Sequence, residues 1–109
     1  MARLAPLVLL ALALVACGSP KDDLDQLCAA SEAVLQDPSI APEDRERTLS
    51  QRFEPESSEM RNAWDALAHA SRDQRWELLK AAADEVGYAD WECPVLEAYW
   101  DAPVPAPAD

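Results

Sequence analysis

The sequence predicts an all-α fold, a small bundle of four or five short helices. Three observations carry that reading. Between Ser19 and Trp100 the apolar residues recur at helical spacing, and no segment alternates apolar and polar residues as a half-buried strand does. The chain holds only two glycines, so the tight turns of an all-β fold have few candidates. At 109 residues, with 28% of them charged, it is long enough for one small domain and no more.

Each helix has its own start and stop. Ser19 is placed to cap the first, with Pro20 at the first helical position and Asp22 and Asp23 near the positive end of the dipole. Leu24, Leu27, Cys28, Val34 and Leu35 then share one face, Cys28 points inward, and Asp37-Pro38 ends the element. A second helix starts at Pro42, carries Glu43 and Asp44 in its first turn, and stops before Glu54-Pro55. Its apolar side is thin, mainly Leu49 and Phe53. The third runs from Ser58 to His69 with Met60, Ala63, Trp64 and Leu67 on one stripe. The fourth opens on a Ser71/Gln74 capping box, presents Trp76, Leu79, Ala83 and Val86, and ends at Gly87 in the left-handed conformation. Cys93-Pro94 begins a short last helix bearing Val95, Leu96, Tyr99 and Trp100.

The beginning of the chain follows a different logic. Met1-Ala2-Arg3 supplies one positive charge, and the apolar run Leu4–Ala16 follows. Thirteen residues make a helix of roughly 20 Å, short of the roughly 30 Å hydrocarbon core of a bilayer. A basic start, a short apolar core and a small residue at its end are the parts of a secretory signal peptide. Leu14-Val15-Ala16-Cys17 resembles the lipobox of bacterial lipoproteins. That resemblance implies a diacylglycerol on the Cys17 thiol, cleavage between Ala16 and Cys17, and a further acyl chain such as palmitate on the freed amine. Two or three chains hold a small protein where one holds it only reversibly. In Gram-negative lipoproteins an aspartate after the cysteine retains the protein in the inner membrane. Here that residue is Gly18, so the resemblance implies a lipid anchor in the outer membrane, facing the periplasm.

With Cys17 lipidated, Cys28 and Cys93 remain as an even pair in an oxidising compartment, and a disulfide between them is expected to staple the bundle. Closing a loop of about 65 residues corresponds to roughly 4 kcal/mol by the chain-entropy relation. Cys28 on the first helix, "QRWELLKAAADEVG" in the middle and "WECP" near the end also resemble small uncharacterised helical proteins of Gram-negative bacteria. This resemblance supports the cysteine pair and implies no activity. The chain divides into a signal peptide at 1–16, a lipidated N-terminus and tether at 17–22, a helical domain at 23–100 and a flexible tail at 101–109. Prolines 103, 105 and 107 bias that tail to extended conformations.

Composition excludes several functions. The formal charge of −12 becomes −13 when Arg3 leaves with the signal peptide, which argues against nucleic acid and suits solubility or a basic partner. Neither CxxCH nor CxxC occurs, nor a glycine-rich phosphate loop. His69 is the only histidine, so a histidine base has to be this one, and at the end of the third helix it also complements the dipole. Cys28, His69 and Cys93 match no zinc-finger spacing. Asp22, Asp23 and Asp25 lack the glycine and distal glutamate of a calcium loop and read as first-turn acids, as do Glu54, Glu56 and Glu59 around the next helix start. Trp64 and Trp76 lie on apolar stripes and fill the core, whereas Trp91 and Trp100 either form an exposed aromatic patch for a glycan, peptide or membrane, or pack over the disulfide. With no convergent catalytic set, no cofactor and no metal site in view, the expectation is a non-catalytic structural or interaction module of the cell envelope. The alternative is an acidic binding protein or inhibitor of a cationic envelope enzyme.

Overall fold

A computed structural model describes residues 18–103. The expected signal segment 1–16, the expected lipidation site Cys17 and residues 104–109 of the expected tail lie outside the described residues. The elements are α1 (Pro20–Leu35), a 3-10 turn (Pro42–Asp44), α2 (Arg45–Arg52), α3 (Ser58–Ala68), α4 (Arg72–Glu85) and α5 (Pro94–Asp101), with no strand among the described residues. None of these helices is long and apolar enough to cross a membrane.

The helix ends follow the local chemistry. The Ser19 hydroxyl accepts from the Asp22 N–H at 3.1 Å, with Pro20 at the first helical position. Helix α1 therefore begins inside the segment expected to be tether, and Asp101 is the last residue of α5 rather than the first of a tail. At the far end of α4, Gly87 has φ +83°, and the Tyr88 N–H reaches back to the Ala83 carbonyl at 2.8 Å in a Schellman closure. The capping box at Ser71 does not form. The Ser71 side chain makes no capping bond, and the first turn closes through its carbonyl, which accepts from the Gln74 N–H at 3.0 Å. The backbone already meets that donor, so the hydroxyl is not needed.

Helix α1 is the hub and packs against all four other α-helices, while α3 packs on α4 and α4 on α5. Its Leu24, Leu27 and Val34 are fully buried, as are Met60 from α3, Leu79 and Ala83 from α4 and Leu96 from α5. Each large side chain among them contributes roughly 1.5–3 kcal/mol by leaving water. Cys28 and Cys93 are joined, with Cα atoms 5.5 Å apart, so the middle of α1 is fixed to the start of α5.

A buried carboxylate fixes the other end of α1. Asp23 is 1% exposed and accepts from the Glu56 N–H at 2.9 Å, the Ser57 N–H at 3.0 Å and the Ser57 hydroxyl at 2.7 Å. Ser57 in turn caps α3 by accepting from the Met60 N–H at 3.2 Å. Asp23 is thus a strut between two helix starts. Its sequence context identifies it only as a first-turn acid, because its partners lie more than thirty residues away.

Candidate functional site

Among the helices, the backbone of α2 packs closely only on α1, and the gap on its other side is a cavity of about 220 Å³. Leu49 of α2 faces Trp64, Leu67 and Ala68 of α3 and Trp100 of α5 across it. The thin apolar side of α2 explains the gap. A helix whose inward face offers little beyond Leu49 cannot fill the space opposite two tryptophans. Phe53, which follows the helix, packs edge-on against Trp64 with ring centroids 5.0 Å apart, and Trp64 lies 6.4 Å from Trp100.

The edge of the cavity is charged. Glu46 of α2 pairs with Arg75 of α4, and its second oxygen lies 3.9 Å from Arg72. Both arginines are largely buried, at 17% and 18% side-chain exposure. Arg72 also donates to the Tyr99 and Ala102 carbonyls and lies over the Tyr99 ring, while Arg75 Nε donates to the Ala70 carbonyl. These contacts bolt α4 to α2 and to the end of α5. Nothing in the sequence pattern singles out Glu46, Arg72 or Arg75, since their pairing spans 26 to 29 residues between different helices. The cavity offers an apolar bed beside an ion pair. No nucleophile held by a base is among its lining residues.

A second depression of about 180 Å³ lies between α4 and α5. Asp73 and Glu77 of α4 and Glu97 and Asp101 of α5 line it around Trp76, together with Arg72 and Trp100. None of these four carboxylates forms an ion pair among the described residues, because the nearby cations are engaged elsewhere. Lys80, for example, binds the Ala89 and Trp91 carbonyls and lies 3.7 Å from Glu92.

Of the two alternatives for Trp91 and Trp100, the exposed aromatic patch is not present. Trp91 is 3% and Trp100 4% exposed, and both belong to the core, whereas Trp64 and Trp76 are only partly buried. Trp91 stacks on Trp76 with centroids 5.6 Å apart. The disulfide and the turn at Gly87 draw the segment before α5 inward, so the residue with no helical stripe to place it ends up better covered. The Trp100 indole N–H is buried without an acceptor.

His69 is exposed and caps the end of α3 through its own N–H, bonded to the Ala66 carbonyl at 3.1 Å. With Cys28 and Cys93 in a disulfide, a Cys28/His69/Cys93 metal site is not assembled, and no group of three metal-ligating side chains occurs among the described residues. Two partly exposed groups are shifted from their usual values. Ser39 donates both its hydroxyl and its N–H to Asp37, which holds that carboxyl low, and the hydrogen bond from Tyr88 to Asp25 at 2.7 Å pushes the phenol up. Neither borders a cavity. No protein-family model matches the chain, and no curated protein or solved structure does. The functional reading therefore rests on the chain's own residues.

Proposed function

We propose that the protein is a membrane-anchored periplasmic lipoprotein, held at the outer membrane, and that it acts as a non-catalytic structural or interaction module of the cell envelope. The observation that carries this reading is the lipobox resemblance of Leu14–Cys17 set directly before a capped helix. Only Gly18 and Ser19 separate Cys17 from Pro20. Three residues of chain span at most about 11 Å, so an acylated Cys17 holds the domain against the lipid surface. The test is the intact mass of the membrane-extracted protein, expected to begin at Cys17 with acyl chains attached, together with Cys17→Ser, expected to release the domain or leave the precursor uncut. Recovery of an unlipidated wild-type chain from the soluble fraction of its host overturns the reading.

A second reading, an acidic binding protein or inhibitor of a cationic envelope enzyme, is favoured by the α4–α5 groove. Its four unpaired carboxylates beside Trp76 suit an arginine or lysine side chain, which gains both charge pairing and the indole face. Crosslinking in native membranes, repeated at high ionic strength, separates the two. Electrostatic capture weakens steeply as salt rises, whereas a structural contact persists.

A further inference from the structure

We propose that the cavity between α2 and the α3–α5 wall is a binding site for a small apolar carboxylate, a single aromatic ring or short acyl chain bearing one acid group. Its volume of about 220 Å³ exceeds the roughly 150 Å³ of an apolar protein cavity that takes up benzene. Leu49, Leu67 and the two indoles of Trp64 and Trp100 supply an apolar bed for such a body.

The acid group follows from the charge at the edge. Glu46 is the one carboxylate that lines the cavity, and it faces two guanidiniums, Arg75 at the edge and Arg72 behind it. Arg75 uses Nε on the Ala70 carbonyl and one terminal nitrogen on Glu46, and its other terminal nitrogen has no acceptor among the described residues. That nitrogen is open to solvent, and a carboxylate entering beside Glu46, or displacing that 43%-exposed side chain outward, replaces water on it in the forked geometry that guanidinium and carboxylate share. The chain's distant negative charges oppose an anion little, because physiological salt screens fields beyond about 8 Å. At contact the local pair decides. Helix α2 packs backbone-close only on α1 and reaches α4 through the Glu46 side chain, so outward displacement of Glu46 lets α2 yield slightly to a ligand without breaking the packing of α3, α4 and α5.

The experiment titrates the purified full-length chain with 3-phenylpropionate and, separately, with the neutral 3-phenylpropan-1-ol, following the indole N–H signals of Trp64 and Trp100 by NMR. Saturable shifts at these two indoles are expected, with the carboxylate bound about tenfold tighter than the alcohol, the usual worth of one charge-assisted hydrogen bond. Arg75→Gln should bring the two affinities to within about twofold of each other. Ala68→Phe, at a solvent-exposed position that lines the cavity, should weaken both probes about tenfold by filling the space. It keeps the proposal testable if Arg75→Gln loosens the bundle. Equal affinity for acid and alcohol, shifts that spread without saturating, or binding unchanged by Ala68→Phe would each overturn the assignment.

Discussion

Removing the Asp23 carboxylate tests whether two helix starts are held together by one buried charge. Asp23→Ala leaves three donors, the Glu56 N–H, the Ser57 N–H and the Ser57 hydroxyl, without the acceptor they now share. A donor left unpaired away from water costs on the order of 1 kcal/mol or more, so the three together amount to about 3 kcal/mol. That is a large part of the roughly 5–15 kcal/mol that holds a small domain folded. Asp23→Asn keeps the shape but offers one acceptor oxygen for three donors and points an NH₂ at one of them, for a loss of about 2 kcal/mol. Ser57→Ala removes the hydroxyl that both donates to Asp23 and caps α3, at about 1 kcal/mol. Urea unfolding of Asp23→Ala, Ser57→Ala and their double variant measures each loss and their coupling, expected near 1 kcal/mol because the side chains touch. A loss under about 1 kcal/mol for Asp23→Ala, or strict additivity with Ser57→Ala, refutes the strut.

Breaking the disulfide by reduction or by Cys28→Ser should lower stability by up to about 4 kcal/mol while leaving the helical circular dichroism intact in the cold, and an unchanged melting curve contradicts the staple. Trp91→Ala should cost about 3–5 kcal/mol, as a buried tryptophan does, and clearly more than Trp76→Ala; equal costs would argue that the 91 side chain is not the better covered of the stacked pair. The Asp37 carboxyl, held low chiefly by the Ser39 hydroxyl and then by its N–H, contributes stability that is complete above the ordinary aspartate range and is lost as pH falls through its depressed value. Ser39→Ala should therefore move its titration upward in carboxyl-carbon NMR, and an unmoved midpoint assigns the shift to another group.

Much of the helix pattern is legible in the residues because it is governed locally. Ser19 with Pro20, Gly87, and the stripe of Met60, Trp64 and Leu67 act within one or two turns, and the structure places them as the spacing implies. Cys28 and Cys93 pair as the cysteine count suggests. What escaped the reading is long-range. The acceptor role of Asp23, the convergence of Glu46, Arg72 and Arg75, and the inward turn of Trp91 all depend on which helix lies beside which, a relation that periodicity does not encode. The cavity does have a local trace, in the near absence of apolar residues on α2, but a thin stripe tells only that something is unfilled. Even the missing capping box at Ser71 fits this division, since the first turn of α4 had a second local way to close and used it.

The bond between Cys28 and Cys93 also determines how the domain carries force. A tensile load applied between the two ends of the chain runs from Gly18 along α1 to Cys28, crosses the sulfur bridge to Cys93 and leaves through α5, so everything between the cysteines is mechanically bypassed. The bridged positions are 65 residues apart, which at about 3.5 Å each locks away roughly 230 Å of contour. Among the described residues, a single-molecule pull on the oxidised protein lengthens only the first part of α1 and the last helix. The same pull after reduction releases the hidden length as well. Helices α2, α3 and α4 thus sit inside a covalent ring that strain along the chain reaches only at its two fixed points, whereas the Trp100 wall of the cavity lies outside the ring on α5 and is exposed to that strain.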